Sequence, residues 1–199
     1  MTRVGFIGPV AGDRDLFARR LEHLVSREGC DLVHYLGDCD ALDEIAASLR
    51  GVLGLDDSEG IDGMARALAE RGHADEIERF LDAREALSRL ALCRAVPKPP
   101  ARTIEMLEDR IALLVHDKAI LDEEDIANAD VVIYGRATAP LLKKIGPRVF
   151  FTPGPAGSGY GLDSVEEGES LRLVCYDADA RVIAEELLAP RSARFSVTT

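Results

Sequence analysis

RVGFIGPVAGDRDLFARRLEHLVSREGCDLVHYLG, residues 3–37, decides the architecture. Residues 3–8 are a short apolar run closed by glycine, the pattern of a buried strand. Residues 13–27 then place Leu16, Phe17, Leu21, Leu24 and Val25 on one helical stripe. Residues 31–36 return to an apolar run that Gly37 ends. The stretch therefore reads as strand, loop, helix, strand.

Outward from this unit, residues 41–49 predict a short helix and residues 51–55 a brief third strand. Residues 61–96 predict a long helical region broken near Gly72, in which Ile77, Phe80, Leu81, Leu87, Leu90 and Ala91 share a face. That face packs on the core or, alternatively, meets a second copy or a partner. Val96-Pro97-Lys98-Pro99-Pro100 cannot continue a helix, because proline lacks the amide donor and clashes with the preceding turn. It reads as a stiff connector. Further strands are expected at 102–106, 111–116, 131–134, 149–152, 171–176 and 181–185, the last two as a hairpin through 177–180. The glycine-rich run 152–161 reads as a mobile loop. Residues 190–199 read as a flexible C-terminal tail, leaving 1–189 as one domain. Alternating strands and helices followed by strands predict an α/β protein of stacked sheets flanked by helices.

The bulk composition narrows the function. A chain of 199 residues with 47% hydrophobic and 30% charged residues is an ordinary globular sequence. A net charge of −12 without a lysine/arginine cluster argues against nucleic acid and anionic membranes as partners, since both are bound through cations. No apolar run reaches the roughly 20 residues of a membrane helix. The opening residues lack a basic n-region and read as a strand rather than a signal peptide, so a cytoplasmic protein is expected. Cys30, Cys39, Cys93 and Cys175 show no C-x-x-C spacing and read as free thiols in a reducing compartment.

In open α/β sheets the chemistry sits at the carboxyl ends of the strands. The loops to inspect are 8–15, 37–40, 51–57, 116–118, 135–138 and 152–161. Five pieces occur in order: VGFIGPVAG (4–12), DLVHYLGDCD (31–40), LRGVLG (49–54), PPARTIEMLEDRIALLVHDK (99–118) and ADVVIYGRATAPLLKKIGPRVFFTPGPAG (129–157). In their order and spacing the chain resembles the calcineurin-like metallophosphoesterases, the small bacterial phosphodiesterase type. That resemblance implies a four-layer α/β/β/α sandwich. It also implies two divalent metals held roughly 3.5–4 Å apart to clamp a phosphoryl displacement. Family members carry D-x-H-G, G-D-x-x-D, G-N-H-D or G-N-C-D, H-G-H and G-H-T-H at these points.

This chain departs from those motifs. The Asp and His of the first loop are Pro9 and Ala11. Asp38 survives in the second. The third aligns with Val52 and Leu53. His116 survives in the fourth, with Lys118 in place of its second histidine, and Arg136 and Thr138 replace both histidines of the last. Asp38 and His116 are thus vestigial ligand positions. A metal site needs several neutral or anionic donors around each ion. A fixed cation instead repels a divalent ion by about 8 kcal/mol at about 4 Å and an effective dielectric of about 20. No catalytic residue, no metal and no cofactor is expected.

Lys118 and Arg136 place cations where metals would sit. Either they neutralise Asp38 in an ion-pair cluster, or they form an anion pocket for a phosphate or carboxylate. His116 reads most simply as a backbone hydrogen-bonder. Asp13, Asp15 and Asp40 read as helix N-terminal charges, with a new single-metal site shared with Asp38 and His116 as the alternative. A dinucleotide loop fails for want of G-x-G-x-x-G, and Ser158 lacks the G-x-S-x-G context of a hydrolase.

Two functional readings follow. The first is a non-catalytic protein on the phosphoesterase fold, acting as a binding or scaffold module with a protein partner. The phosphoesterase-fold subunit of the retromer coat is the family's precedent. The second is a hydrolase with an atypical manganese or zinc shell. A homo-oligomer is compatible with both.

Overall fold

A computed structural model describes residues 3–37, 40–55, 60–163 and 171–189. The expected tail, 190–199, lies outside the described residues, as does Asp38.

The opening unit folds as its pattern predicts. Strand β1 (Arg3–Ile7) leads to α1 (Arg14–Glu22), which runs on into a π-helical turn (His23–Arg27), and then to β2 (Leu32–Tyr35), parallel to β1. Asp13 caps α1, its carboxylate accepting the Leu16 N–H at 2.9 Å. Helices α2 (Asp40–Val52), α3 (Gly60–Arg71) and α4 (Ala74–Leu90) follow, and β3 (Cys93–Ala95) joins β2 in parallel. The second half holds β4 (Thr103–Leu107), β5 (Arg110–Val115), α5 (Glu123–Asn128), β6 (Val131–Tyr134), β7 (Leu141–Ile145) and β8 (Arg148–Thr152). It closes with β9 (Ser158–Asp163), β10 (Leu171–Tyr176) and β11 (Val182–Leu188).

The strands form two sheets, of order β11-β10-β9-β1-β2-β3 and β4-β5-β6-β8-β7. Their facing sides bury Val4, Phe6, Leu114, Ile133, Phe151 and Leu173 in one core. On the far side of the first sheet, Phe17, Leu21 and Leu24 pack with Val33, Ile45 and Leu90, which places α1, α2 and α4 there. On the far side of the second, Val115, Val132 and Tyr134 pack with Ile120, Leu121 and Ala129 around α5. The layers run helix, sheet, sheet, helix, as the resemblance implied.

Two sequence expectations are corrected. Residues 51–55 are not a strand: Leu53 N–H donates to Leu49 O and Leu55 N–H to Arg50 O, so the chain closes α2 there. Leu53 is fully buried with Leu68, Phe80 and Ala83 in a small core among α2, α3 and α4, which explains the apolar run. The third strand is β3, beyond α4. Likewise, residues 158–161 are not a loop: β9 lies between β1 and β10, antiparallel to both. Its glycines are sockets. A Cβ on Gly159 would lie 2.5 Å from Phe151 Cζ, and one on Gly161 3.2 Å from Leu107 Cδ1, so the second sheet's side chains occupy that space. The edge strand β7 and the short α5 carry no clear sequence pattern and were not anticipated.

Candidate functional site

The loops after β1, β2, β5, β6 and β8 converge at one end of the sandwich, and backbone does most of the joining. Gly8 N–H donates to Gly157 O, and Ala156 N–H to Pro9 O, each at 2.9 Å. A Cβ on Gly8 would lie 1.9 Å from Gly154 O, and one on Gly135 2.0 Å from Leu36 O. Only glycine permits these approaches. Pro9 therefore sits in a loop zipped to residues 154–157, and Ala11 is exposed with a φ of 48°.

His116, at the end of β5, is 2.8 Å through Nδ1 from the Leu36 carbonyl after β2. It acts there as a bridge between the two sheets' loops. His116→Ala leaves a buried carbonyl without that donor, so a loss of about 1–3 kcal/mol in urea unfolding is expected.

The cations are each engaged. Arg136 Nη1 donates to Asp117 Oδ2 at 2.8 Å, although its side chain remains 74% exposed. The Ala119 N–H and the Arg136 guanidinium hold the Asp117 carboxyl below its ordinary value. Lys118 Nζ lies 4.9 Å from the centroid of the Tyr134 ring, on the helix side of the second sheet. The structure thus draws Arg136 and Lys118 to separate local partners, while Asp38, which the ion-pair alternative would have them neutralise, lies outside the described residues. Asp13 and Asp15 belong to the start of α1.

A third cation was missed by sequence reading. Because β3 is Cys93–Ala95, the loop after the third strand is residues 96–100, not 52–53. Lys98 in that loop donates to both carboxylate oxygens of Asp40, each at 3.0 Å, at the start of α2. The signal was the proline-flanked lysine after an apolar residue, legible only once β3 is placed. Among the described residues, no three His, Cys, Asp or Glu side chains gather into a group able to hold a metal ion.

The four layers and the strand order define the class: the chain has the calcineurin-like metallophosphoesterase fold. Vacuolar Protein Sorting 29 from Cryptosporidium parvum superposes with a TM-score of 0.56 at 12% identity, covering 95% of this chain and 98% of that one. A single-mutant Vps29 from Entamoeba histolytica gives 0.50 at 14% identity, covering 95% and 99%. A predicted phosphoesterase from Streptococcus pneumoniae gives 0.49 at 14% identity, covering 96% and 99%. No known sequence family and no curated protein sequence matches the chain.

Proposed function

We propose that this chain is a non-catalytic member of the fold, a binding or scaffold module that works without divalent metal. One observation carries the reading. At the strand ends, the described side chains supply one imidazole, His116, already engaged to Leu36 O, and two carboxylates, Asp40 and Asp117, each already paired with a cation, Lys98 and Arg136 respectively. Pro9 and Ala11 have no side-chain donor for a metal. Two divalent ions need several anionic or neutral donors each, and ammonium and guanidinium groups repel them. This donor set does not fit a two-metal centre. The links that join the loops are made by protein instead: the Lys98–Asp40 pair, the His116–Leu36 bridge and the zipped backbones of residues 8–10 and 154–157.

Exposed apolar side chains support a protein partner. Ile104 and Met106 on the edge strand β4 are 64% and 60% exposed. The edges β7 and β11 lie against each other and expose Leu141, Ile145, Ile183 and Leu187. Apolar residues at sheet edges favour contact with another chain. No helix among the described residues is long and apolar enough to cross a membrane. The free thiols Cys30, Cys93 and Cys175 fit a cytoplasmic setting.

The test is direct. After purification with manganese, elemental analysis is expected to find no stoichiometric metal, and bis-p-nitrophenyl phosphate to remain intact. Stoichiometric manganese with turnover that Asp38→Ala abolishes would establish the hydrolase instead.

A further inference from the structure

A second basic feature lies on the helix side of the first sheet. The segment ARRLEHLVSR, residues 18–27, brings Arg19, Arg20, His23 and Arg27 to one recess of about 410 Å³, facing the β10–β11 hairpin. The run stays together because α1 continues through the π-helical turn rather than ending at Glu22. The arrangement contrasts with a chain of net charge −12.

Arg20 is the central observation. It is 5% exposed, and its Nε donates to Ala156 O at 3.0 Å. It makes no ion pair among the described residues, and the same holds for Arg19 and Arg27. Burial, aided by Arg19, lowers the Arg20 pKa from its ordinary value, against Asp177 and Asp179. His23 Nε2 is buried without a hydrogen bond among the described residues, 3.6 Å from Glu28 Oε1.

Acidic groups face the recess, but each has other partners. Glu22 reaches Arg89 at 3.9 Å, and Asp179 reaches Arg181 at 3.8 Å. Asp177 and Asp179 both act on Arg20 electrostatically, while the Asp177 carboxylate accepts the backbone N–H groups of Asp179 and Arg181. Three guanidinium groups on one helical run, Arg19 and Arg20 on one turn and Arg27 about two turns on, can reach several oxygens of a single tetrahedral anion, a geometry a lone carboxylate would use poorly. Basic residues near a helix C-terminus also complement its dipole. That role does not account for a buried Arg20 held in place by a loop 136 residues away in sequence.

We propose that the recess bounded by Arg19, Arg20, His23 and Arg27 binds a small molecule carrying a phosphate dianion. The site is separate from the strand-end cleft and does not depend on how that cleft is read. The Arg20–Ala156 hydrogen bond nevertheless connects it to the loop that zips onto Pro9, so occupancy bears on that loop.

The test is calorimetric titration of the full chain with inorganic phosphate and with phenyl phosphate in chloride buffer at constant ionic strength. Saturable one-site binding is expected. The exposed pair Arg19→Glu and Arg27→Glu should leave the unliganded melting temperature in place and weaken binding by roughly tenfold per residue. Arg136→Ala should leave binding unchanged. Tighter binding of phenyl phosphate would mark the ligand as an organic phosphate, and equal binding would mark it as phosphate itself. An unsaturable response, or saturable binding that survives in the double variant or disappears in Arg136→Ala, would overturn the proposal.

Discussion

Phe151→Ala is expected to lower the unfolding free energy by about 3–5 kcal/mol, the range for deleting a buried aromatic ring. Phe151 is fully buried between the two sheets, edge-on to Phe6 with ring centroids 5.7 Å apart. Its ring fills the space over Gly159, where a Cβ would stand 2.5 Å from Cζ and 2.4 Å from Val174 O. The complementary change, Gly159→Ala, is therefore expected to destabilise through overpacking, by about 1–3 kcal/mol. The two effects should not add, because the alanine methyl enters space that the missing ring vacates. Urea unfolding of both single variants and the double variant measures this. Additivity would show that the Val174 carbonyl, not the ring, sets the cost at position 159.

The same pair explains what could be read in the sequence. β1, β5, β6 and β8 were legible because sheet strands covered on both faces read as continuous apolar runs. The β10–β11 hairpin was legible from the turn residues between two β-rich runs. β9 was not, since its inward positions are Gly159 and Gly161, and the apolar bulk that fills them comes from Phe151 and Leu107 on the other sheet. A strand whose core contribution is empty space has no hydrophobic signature. β7 failed for the opposite reason: it is an edge whose Lys143, Lys144 and Ile145 are all exposed, so no alternation marks it. The short β3 was hidden behind a long helix, and the apolar run 51–55, an equally good strand by composition, took its place.

The candidate site divides along the same line. His116 and Arg136 fall at the ends of β5 and β6, so their positions follow from strand prediction alone. Their partners do not. Leu36 O reaches His116 only because the two sheets stack, and Lys98 meets Asp40 only because β3 lies beside β2. Lys118, read as facing the cleft, lies over the ring of Tyr134 on the outer face. Sequence spacing gives the loop a residue occupies, whereas the side of the sheet it turns to depends on tertiary neighbours.

Acid should weaken this fold well before its carboxylates titrate. His34 sits on β2, 2% exposed and stacked on Phe6, with Nε2 3.0 Å from Glu105 Oε1 on the opposite sheet. Burial pushes its pKa down, with Arg94 acting in the same direction and Glu105 opposing. Burial also lowers His23, aided by Arg27 and Arg20 against Glu28. A histidine depressed in the folded state contributes nothing to the pH dependence while both states are neutral. As pH falls through the ordinary value of 6.5, the unfolded chain takes up protons that the folded chain refuses, and stability drops. Each such histidine adds a slope of up to about 1.4 kcal/mol per pH unit. Asp117 and Asp177 are also depressed, but their contribution is lost only at lower pH, as carboxylates protonate. The urea midpoint should therefore fall between pH 7.5 and pH 5.5. His34→Gln or His23→Gln should flatten the dependence to about half, and the double variant should remove most of it. A midpoint that stays level across that interval would mean that both imidazoles accept their protons inside the fold, with Glu105 and Glu28 outweighing burial.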